Sequence, residues 1–326
     1  MHDDARGQID RLTAAANELS AQPRDDARRS RHKAVVLPDH KIVYVTNLKV
    51  ACSTIKWMLF DLEGRDETAL HASLKPRPTR SQTIHDHELW GDTPKLALRE
   101  GHGDPAQGWF VFTVLRDPRP RVWSAWQSKL LCGNPNYLHR GEPEQPWWPR
   151  SPETADDVID DFHRFVETLD KQRRRMHRVG RDGHFRPQSD LLHKPGLTYS
   201  HVYDLTHLPL LLADLQQHLD ALGKGPLPPL RRENETPLAA TADIFTPRAL
   251  ELIADVYAED FDRFGAVWPE VPRTSTEPWH PAALADVRFR RVAHQRIADL
   301  SQEAQRMRDE LDATDDRPRR RFGRAR

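Results

Sequence analysis

Lys49, Ser53, Thr54 and Lys56 crowd into Tyr44–Lys56, reading YVTNLKVACSTIK, and Arg116, Arg121, Ser124 and Lys129 into Phe112–Lys129, reading FTVLRDPRPRVWSAWQSK. Cations and small hydroxyl residues placed where an apolar run gives way to a helical pattern suit anion binding. The unpaired amides and positive end of a helix N-terminus add to the side-chain charge there. Two such segments predict a ligand with two anionic ends.

In the first segment the small residues Ala51, Cys52, Ser53 and Thr54 let a ligand approach the backbone. Ser53 and Thr54 are expected to cap a helix and offer hydroxyls, with Lys49 and Lys56 supplying charge. A solvated Lys56 on the helix surface is the competing reading. The Walker pattern GxxxxGK(S/T) is missing, since no glycine occurs between Tyr44 and Leu62, and this disfavours a nucleotide kinase or GTPase. In the second segment Arg116 ends a strand and Asp117-Pro118 turns the chain. Arg121 and Ser124, three apart, share one helix face. A forked guanidinium beside a hydroxyl suits a phosphate dianion, although an Arg116–Asp117 turn held by salt bridges has the same composition. A proton acceptor is available in principle from any of 17 histidines, whose ordinary pKa of about 6.5 suits neutral pH. Chemistry alone does not choose among them.

The elements that would position these residues follow from periodicity. Ile42–Val45 reads as a strand, followed by Ile55, Met58, Leu59 and Leu62 at helical spacing. Trp109–Leu115 reads as a second strand whose following helix ends near Gly133-Asn134-Pro135, and Leu197–Tyr203 as a third strand. Helices are predicted over His87–Arg99, Thr154–Met176, Thr206–Leu222 and Pro247–Phe264. Strands alternating with helices predict an α/β fold with a parallel sheet covered on both faces. Asn134–Pro152, with five prolines and the pair Trp147-Trp148, reads either as a loop over the site or as an excursion packed down by its aromatics. Three regions result: an N-terminal arm or short helix over 1–32, with the arm favoured; a domain over 33–268; and a linker, helical extension and arginine-rich tail over 269–326. In the extension Ala293, Ile297, Leu300, Ala304, Met307 and Leu311 form a narrow stripe that pairs with a second copy or docks on the same core.

Bulk properties narrow the partners. Lys plus Arg and Asp plus Glu number 49 each, so no nucleic-acid partner is expected from overall charge. Two cysteines, Cys52 and Cys132, give neither a disulfide framework nor a zinc spacing, and no metal is expected. The N-terminus MHDDARGQIDRL lacks a signal-peptide pattern and no stretch reaches the about 18 apolar residues of a membrane helix, so the expectation is a soluble, cytoplasmic protein.

Together the two segments resemble the sulfotransferases that use 3′-phosphoadenosine 5′-phosphosulfate (PAPS), particularly the branch of carbohydrate sulfotransferases and their bacterial relatives, whose loops read approximately PKxACTxxK and RDPxxRxxSAYxxK. Lys49, Ala51, Cys52, Ser53 and Lys56, with Thr54 beside them, match the 5′-phosphosulfate loop. Arg116, Asp117, Pro118, Arg121, Ser124, Ala125 and Lys129 match the 3′-phosphate site. Leu48 stands for the usual proline, Ser53-Thr54 for a common Thr-Ser or Thr-Asn, and Trp126 for tyrosine. Weaker similarity runs through His184-Phe185-Arg186-Pro187-Gln188, Asn234 and Val256–Gly265, covering about residues 40–268. The resemblance implies a three-layer, P-loop-like fold and in-line sulfuryl transfer from PAPS to an acceptor hydroxyl on a carbohydrate or small metabolite, without a metal. It also implies Lys49 at the departing charge, Arg116 and Ser124 on the 3′-phosphate, and Arg121 either supporting them or making a structural pair. His85 is the first choice of base, then His184 and His87. Lys171–Arg178 and Trp90, Trp147 and Trp148 are candidates for acceptor contact, each with an ordinary structural reading beside it. A catalytically silent nucleotide-binding or assembly protein is the alternative from another class.

Overall fold

A computed structural model describes residues 2–23, 34–68, 83–85, 103–138, 144–174, 182–231 and 236–315. The predicted helix over His87–Arg99, together with His87, Trp90, Asn234 and the arginine-rich tail, lies outside the described residues, as does the end of the basic run after Arg174. Helix α1 (His2–Ala21) precedes the hairpin of β1 (Ala34–Leu37) and β2 (Ile42–Val45). There follow α2 (Cys52–Leu62), β3 (Phe110–Leu115), α3 (Pro118–Trp126), the short α4 (Pro135–Leu138), α5 (Ala155–Arg174) and the short α6 (Gln188–Leu192). The chain then forms β4 (His201–Asp204), α7 (Leu208–Ala221), α8 (Pro247–Val256), α9 (Ala258–Phe264) and α10 (Pro281–Asp315).

The sheet has the order β1-β2-β3-β4. Val43 pairs with Val111 and Thr113 with Val202 in parallel ladders, as expected for the strands that lead into the two candidate loops. The sheet is nevertheless mixed: β1 runs antiparallel to β2, with Val36 opposite Val43. The connection explains the correction. Pro38–His40 forms a single 3-10 turn closed by Lys41 at φ 49°, too short to carry the chain over the sheet as a parallel crossover requires.

Side-chain alternation sorts the strands into two buried faces. Ile42, Tyr44, Phe112, Val114 and Tyr203 pack with α2 and α7, whereas Val43, Val45, Val111, Leu115 and Val202 pack with α1 and α6. The result is three layers. The N-terminal segment is a docked helix, not the favoured free arm: Ile9, Leu12, Ala16 and Leu19 are buried. Polar ties fix its register on the sheet edge. Thr13 Oγ1 accepts from Val202 N at 2.9 Å, Asn17 brackets the Tyr199 backbone, and Arg6 pairs with Asp214 at 2.5 Å.

A second core lies beside the sheet, where α3, α5 and α8 pack around Trp123, Trp126, Phe162 and Phe165. Trp147 and Trp148 are buried in it, which favours the packed-down reading of that segment over a stacking surface for an acceptor. The predicted helix over Pro247–Phe264 divides at Tyr257, whose hydroxyl donates to Phe185 O at 2.8 Å. The second half carries Asp260 to the N-terminus of α6, where its carboxylate accepts from Gln188 N and Ser189 N at 2.8 Å each.

Candidate active site

Between β2 and α2 the backbone does what glycine usually permits. Lys49 and Ala51 adopt left-handed φ values of 67° and 60°, a conformation that costs an L-residue about 1–2 kcal/mol. Side chains hold the strained loop in place. Asn47 accepts from Leu48 N at 2.8 Å while donating to Val114 O and Gln188 Oε1 at 2.9 Å each. Arg116 Nη1 donates to Lys49 O at 3.3 Å and Arg121 Nε to Leu48 O at 3.0 Å.

The N-cap of α2 is Ala51, which has no side chain able to cap, so the expected capping by Ser53 and Thr54 does not occur. The first ladder bond runs from Ile55 N to Ala51 O at 3.0 Å. The amides of Cys52, Ser53 and Thr54 therefore have no acceptor within the helix, and they form its positive end. Ser53 Oγ instead lies 2.9 Å from His85 Nε2, and Lys56 Nζ lies 3.3 Å from His85 Nδ1. Lys56 is buried rather than solvated.

After β3, the Gln188 side-chain amide clamps Arg116 by accepting from its N at 3.1 Å and donating to its O at 2.7 Å. Asp117 caps α3 through Arg119 N at 2.9 Å and binds the Arg119 guanidinium, with Nη2–Oδ2 at 2.7 Å. Asp117 is thus spent on Arg119, and the Arg116–Asp117 salt bridge does not form. Arg121, fully buried at 0% exposure, uses its other nitrogens on Arg186 O at 2.8 Å and Gly183 O at 3.1 Å. All three of its acceptors are backbone carbonyls, and it pairs with no carboxylate among the described residues. Ser124 is buried on α3, and its hydroxyl has no hydrogen-bond partner among the described residues.

Several cations converge where the two segments meet. Lys49 Nζ donates to Ser128 Oγ at 2.9 Å, and burial, then the neighbouring Lys129 and Arg116, lower its pKa to about 7. Burial likewise lowers Lys129 and Arg116, the latter also against Arg121. Asp117 and Asp204 act on Arg116 and Asp182 on Lys129, and Asp182 is already engaged by His184 Nδ1. His184 keeps 21% of its side-chain surface; burial, then Lys129, lower its pKa to about 4 despite the attraction of Asp182. Burial alone would raise Asp182, but His184 holds it below the usual carboxylate range. Tyr137 lies beside Asp182 without a hydrogen bond of normal geometry. An electropositive site that is half-buried and poor in free carboxylates is matched to a polyanion.

The structure thus brings Lys49, Ala51, Cys52, Ser53, Thr54, Lys56 and His85 to one loop and helix end, and Arg116, Arg121, Ser124 and His184 to the adjoining one. Sequence reasoning missed Asn47, Ser128, Asp182 and the clamping role of Gln188. The signal for Gln188 was present, since it ends the short motif that begins at His184. Among the described residues no group of three or more His, Cys, Asp or Glu is arranged to hold a metal, and no helix is long and apolar enough to cross a membrane. A family model described as "Sulfotransferase family" matches residues 32–265, more than two thirds of the chain. No curated protein and no solved structure matches it.

Proposed function

From the premise that this chain belongs to the sulfotransferase family, we propose that it moves a sulfuryl group from PAPS to a hydroxyl of a carbohydrate or small metabolite. The observation that carries this reading is the junction of Lys49, Arg116 and Lys129 with the uncapped start of α2, a cluster of half-buried cations and open amides. PAPS supplies an activated sulfuryl group: the acceptor oxygen bonds to sulfur as the bond from sulfur to the bridging phosphate oxygen breaks, releasing the 3′,5′-bisphosphate.

The chain's own residues do the rest. Lys49 and the amides of Cys52–Thr54 bind the 5′-end and offset the charge that grows on the leaving phosphate. Lys56 adds to them. Arg116 and the unpartnered Ser124 hydroxyl hold the 3′-phosphate and set the donor's register, while Arg121 positions both loops through backbone carbonyls. These side chains bring the positive charge that a metal ion would otherwise supply.

His85 takes the acceptor proton. Its ring lies against Ser53 and Lys56, at the end of the site where sulfur reacts. An ammonium can only donate, so Lys56 holds Nδ1 as an acceptor and leaves the hydrogen on Nε2. Drawing Lys56 toward a bound anion releases Nδ1, and tautomerisation then gives Nε2 the lone pair that a base needs. A second reading rests on His184, because Asp182 fixes the hydrogen on its Nδ1 and leaves Nε2 basic, as in carboxylate-oriented catalytic histidines. Anion binding at Lys49 and Lys129 removes two of the charges that depress it.

Transfer of mass-shifted sulfate to a panel of glycans, phenols and lipids tests the activity. Titration with 3′-phosphoadenosine 5′-phosphate in the presence of a chelator tests the site. Binding much tighter than that of ATP is expected, and equal affinity sinks the proposal. His85→Ala is expected to lower turnover by about 10²–10⁴ with nucleotide binding retained. Unimpaired turnover in that variant, together with its loss in His184→Ala, transfers the role to His184.

A further inference from the structure

The 35-residue helix α10 has two opposed faces. One is committed to its own chain: Leu284, Val287 and Ala298 are buried, Arg288 Nη1 donates to Pro152 O at 3.1 Å, Arg291 Nη1 to Leu131 O at 2.7 Å, and His294 Nδ1 to Cys132 O at 2.7 Å. At about 100° per residue, Val287, Arg291, His294 and Ala298 fall along one line of the helix. Phe289, Val292, Leu300, Met307 and Leu311 fall on the opposite side, and Phe289 and Leu300 are 72% and 69% exposed. An apolar stripe running the length of a helix on its solvent side is not what a solitary surface helix carries.

We propose that this stripe pairs with the same stripe of a second copy, the two helices running antiparallel about a two-fold axis at Leu300. The symmetry of the sequence about that residue selects the occupant and the direction. With Leu300 on Leu300, Phe289 meets the partner's Leu311 and Ala293 the partner's Met307, so four of the five bulky exposed side chains of the stripe meet an apolar one, while Val292 lies opposite the partner's Arg308. The overlap from 289 to 311 spans just over three heptads, the length that sustains a helix pair. Charge agrees. Arg296 lies inside the stripe four residues before Leu300 and makes no ion pair among the described residues, and Glu303 lies inside it three residues after, in an exposed pair with Arg306 of its own helix. Antiparallel pairing sets Arg296 opposite the partner's Ala304 and beside the partner's Glu303, twice by symmetry. In-register parallel pairing sets Arg296 on Arg296 and Glu303 on Glu303, which repel.

Sedimentation equilibrium and light scattering on the full chain test the pairing, with circular dichroism as the check on folding. The wild type is expected at dimer mass. Leu300→Lys, which introduces two charges at the axis, is expected at monomer mass with helicity retained. Arg296→Glu is expected to weaken the dimer and Arg296→Glu with Glu303→Arg to restore it, a recovery that parallel pairing does not give. For direction, Leu300→Cys is expected to form a disulfide-linked dimer under mild oxidation. Leu311→Cys is expected to crosslink only when mixed with Phe289→Cys. A monomer at every concentration, as when another segment of the same chain covers the stripe, overturns the proposal. So does a dimer that survives Leu300→Lys.

Discussion

The loop at Lys49–Thr54 and the segment at Arg116–Lys129 answer the same demand by different means. The first presents backbone. It bends through two left-handed non-glycine residues and leaves the start of α2 uncapped, and most of what fixes it comes from elsewhere: Asn47, Arg116 and Arg121. The second presents side chains from an ordinary capped helix whose Asp117 satisfies its own first turn. A loop that offers amides is held mostly by side chains of other elements, whereas the second segment caps its own helix and takes one clamp from outside, Gln188 on Arg116. Substitutions therefore propagate asymmetrically, with damage to the second segment unseating the first.

The largest test of that asymmetry is Arg121→Ala. It strips three buried carbonyls of a charged donor and is expected to cost at least about 3 kcal/mol, since each such bond contributes about 1.5–3 kcal/mol. Chemical denaturation measures the cost, and nucleotide binding at both ends should fall with it. If the variant keeps wild-type stability, Arg121 does not tie the loops together. Lys49→Ala should separate stability from chemistry: turnover falls by about a hundred- to a thousandfold, while the melting temperature holds or rises because a half-buried cation crowded by Lys129 and Arg116 has gone. Next in size, Arg116→Ala and Ser124→Ala should each weaken 3′-phosphoadenosine 5′-phosphate by roughly ten- to a hundredfold, as expected for charge-assisted contacts. They should leave adenosine 5′-phosphosulfate, which lacks the 3′-phosphate, nearly unaffected. Equal losses for both ligands would erase the distinction between the two ends.

A smaller effect is expected with pH. His184 titrates near 4 in the folded chain against an ordinary 6.5, so between those values the unfolded state binds more protons and stability rises with pH. Acidification through that window should destabilise the protein, and His184→Gln should flatten the slope. Saturating 3′-phosphoadenosine 5′-phosphate should move the ring's own titration, followed by NMR, upward. Smallest of all, Ala51→Gly should change stability by no more than about 0.5 kcal/mol, because relief of the left-handed strain and the gain in unfolded-chain entropy oppose each other.

The parts readable in the sequence are those governed by local pattern. Phe110–Leu115 is a continuous apolar run buried on both faces, Cys52–Leu62 repeats at helical spacing, and the Arg116 and Lys49 segments sit where each strand ends. Contacts that depend on distant partners were not readable. The direction of β1 follows from a three-residue turn, and the docking of α1 from Asn17 meeting Tyr199 across 182 positions. The same holds within the site. Nothing near Arg121 in the chain indicates that its acceptors are Leu48, Gly183 and Arg186, and nothing near Gln188 indicates that its amide closes on Arg116. Composition identified a polyanion site, but the direction of each cation is a tertiary property.

The reach of Arg121 has one more consequence. Because a single rigid guanidinium ties the loop before α2 to the helix after β3, the jaws that would grip the two phosphates cannot slide apart independently. On the proposed reading the site would work as a caliper set to one opening, selecting a nucleotide by the span between its charges before any base or sugar is inspected.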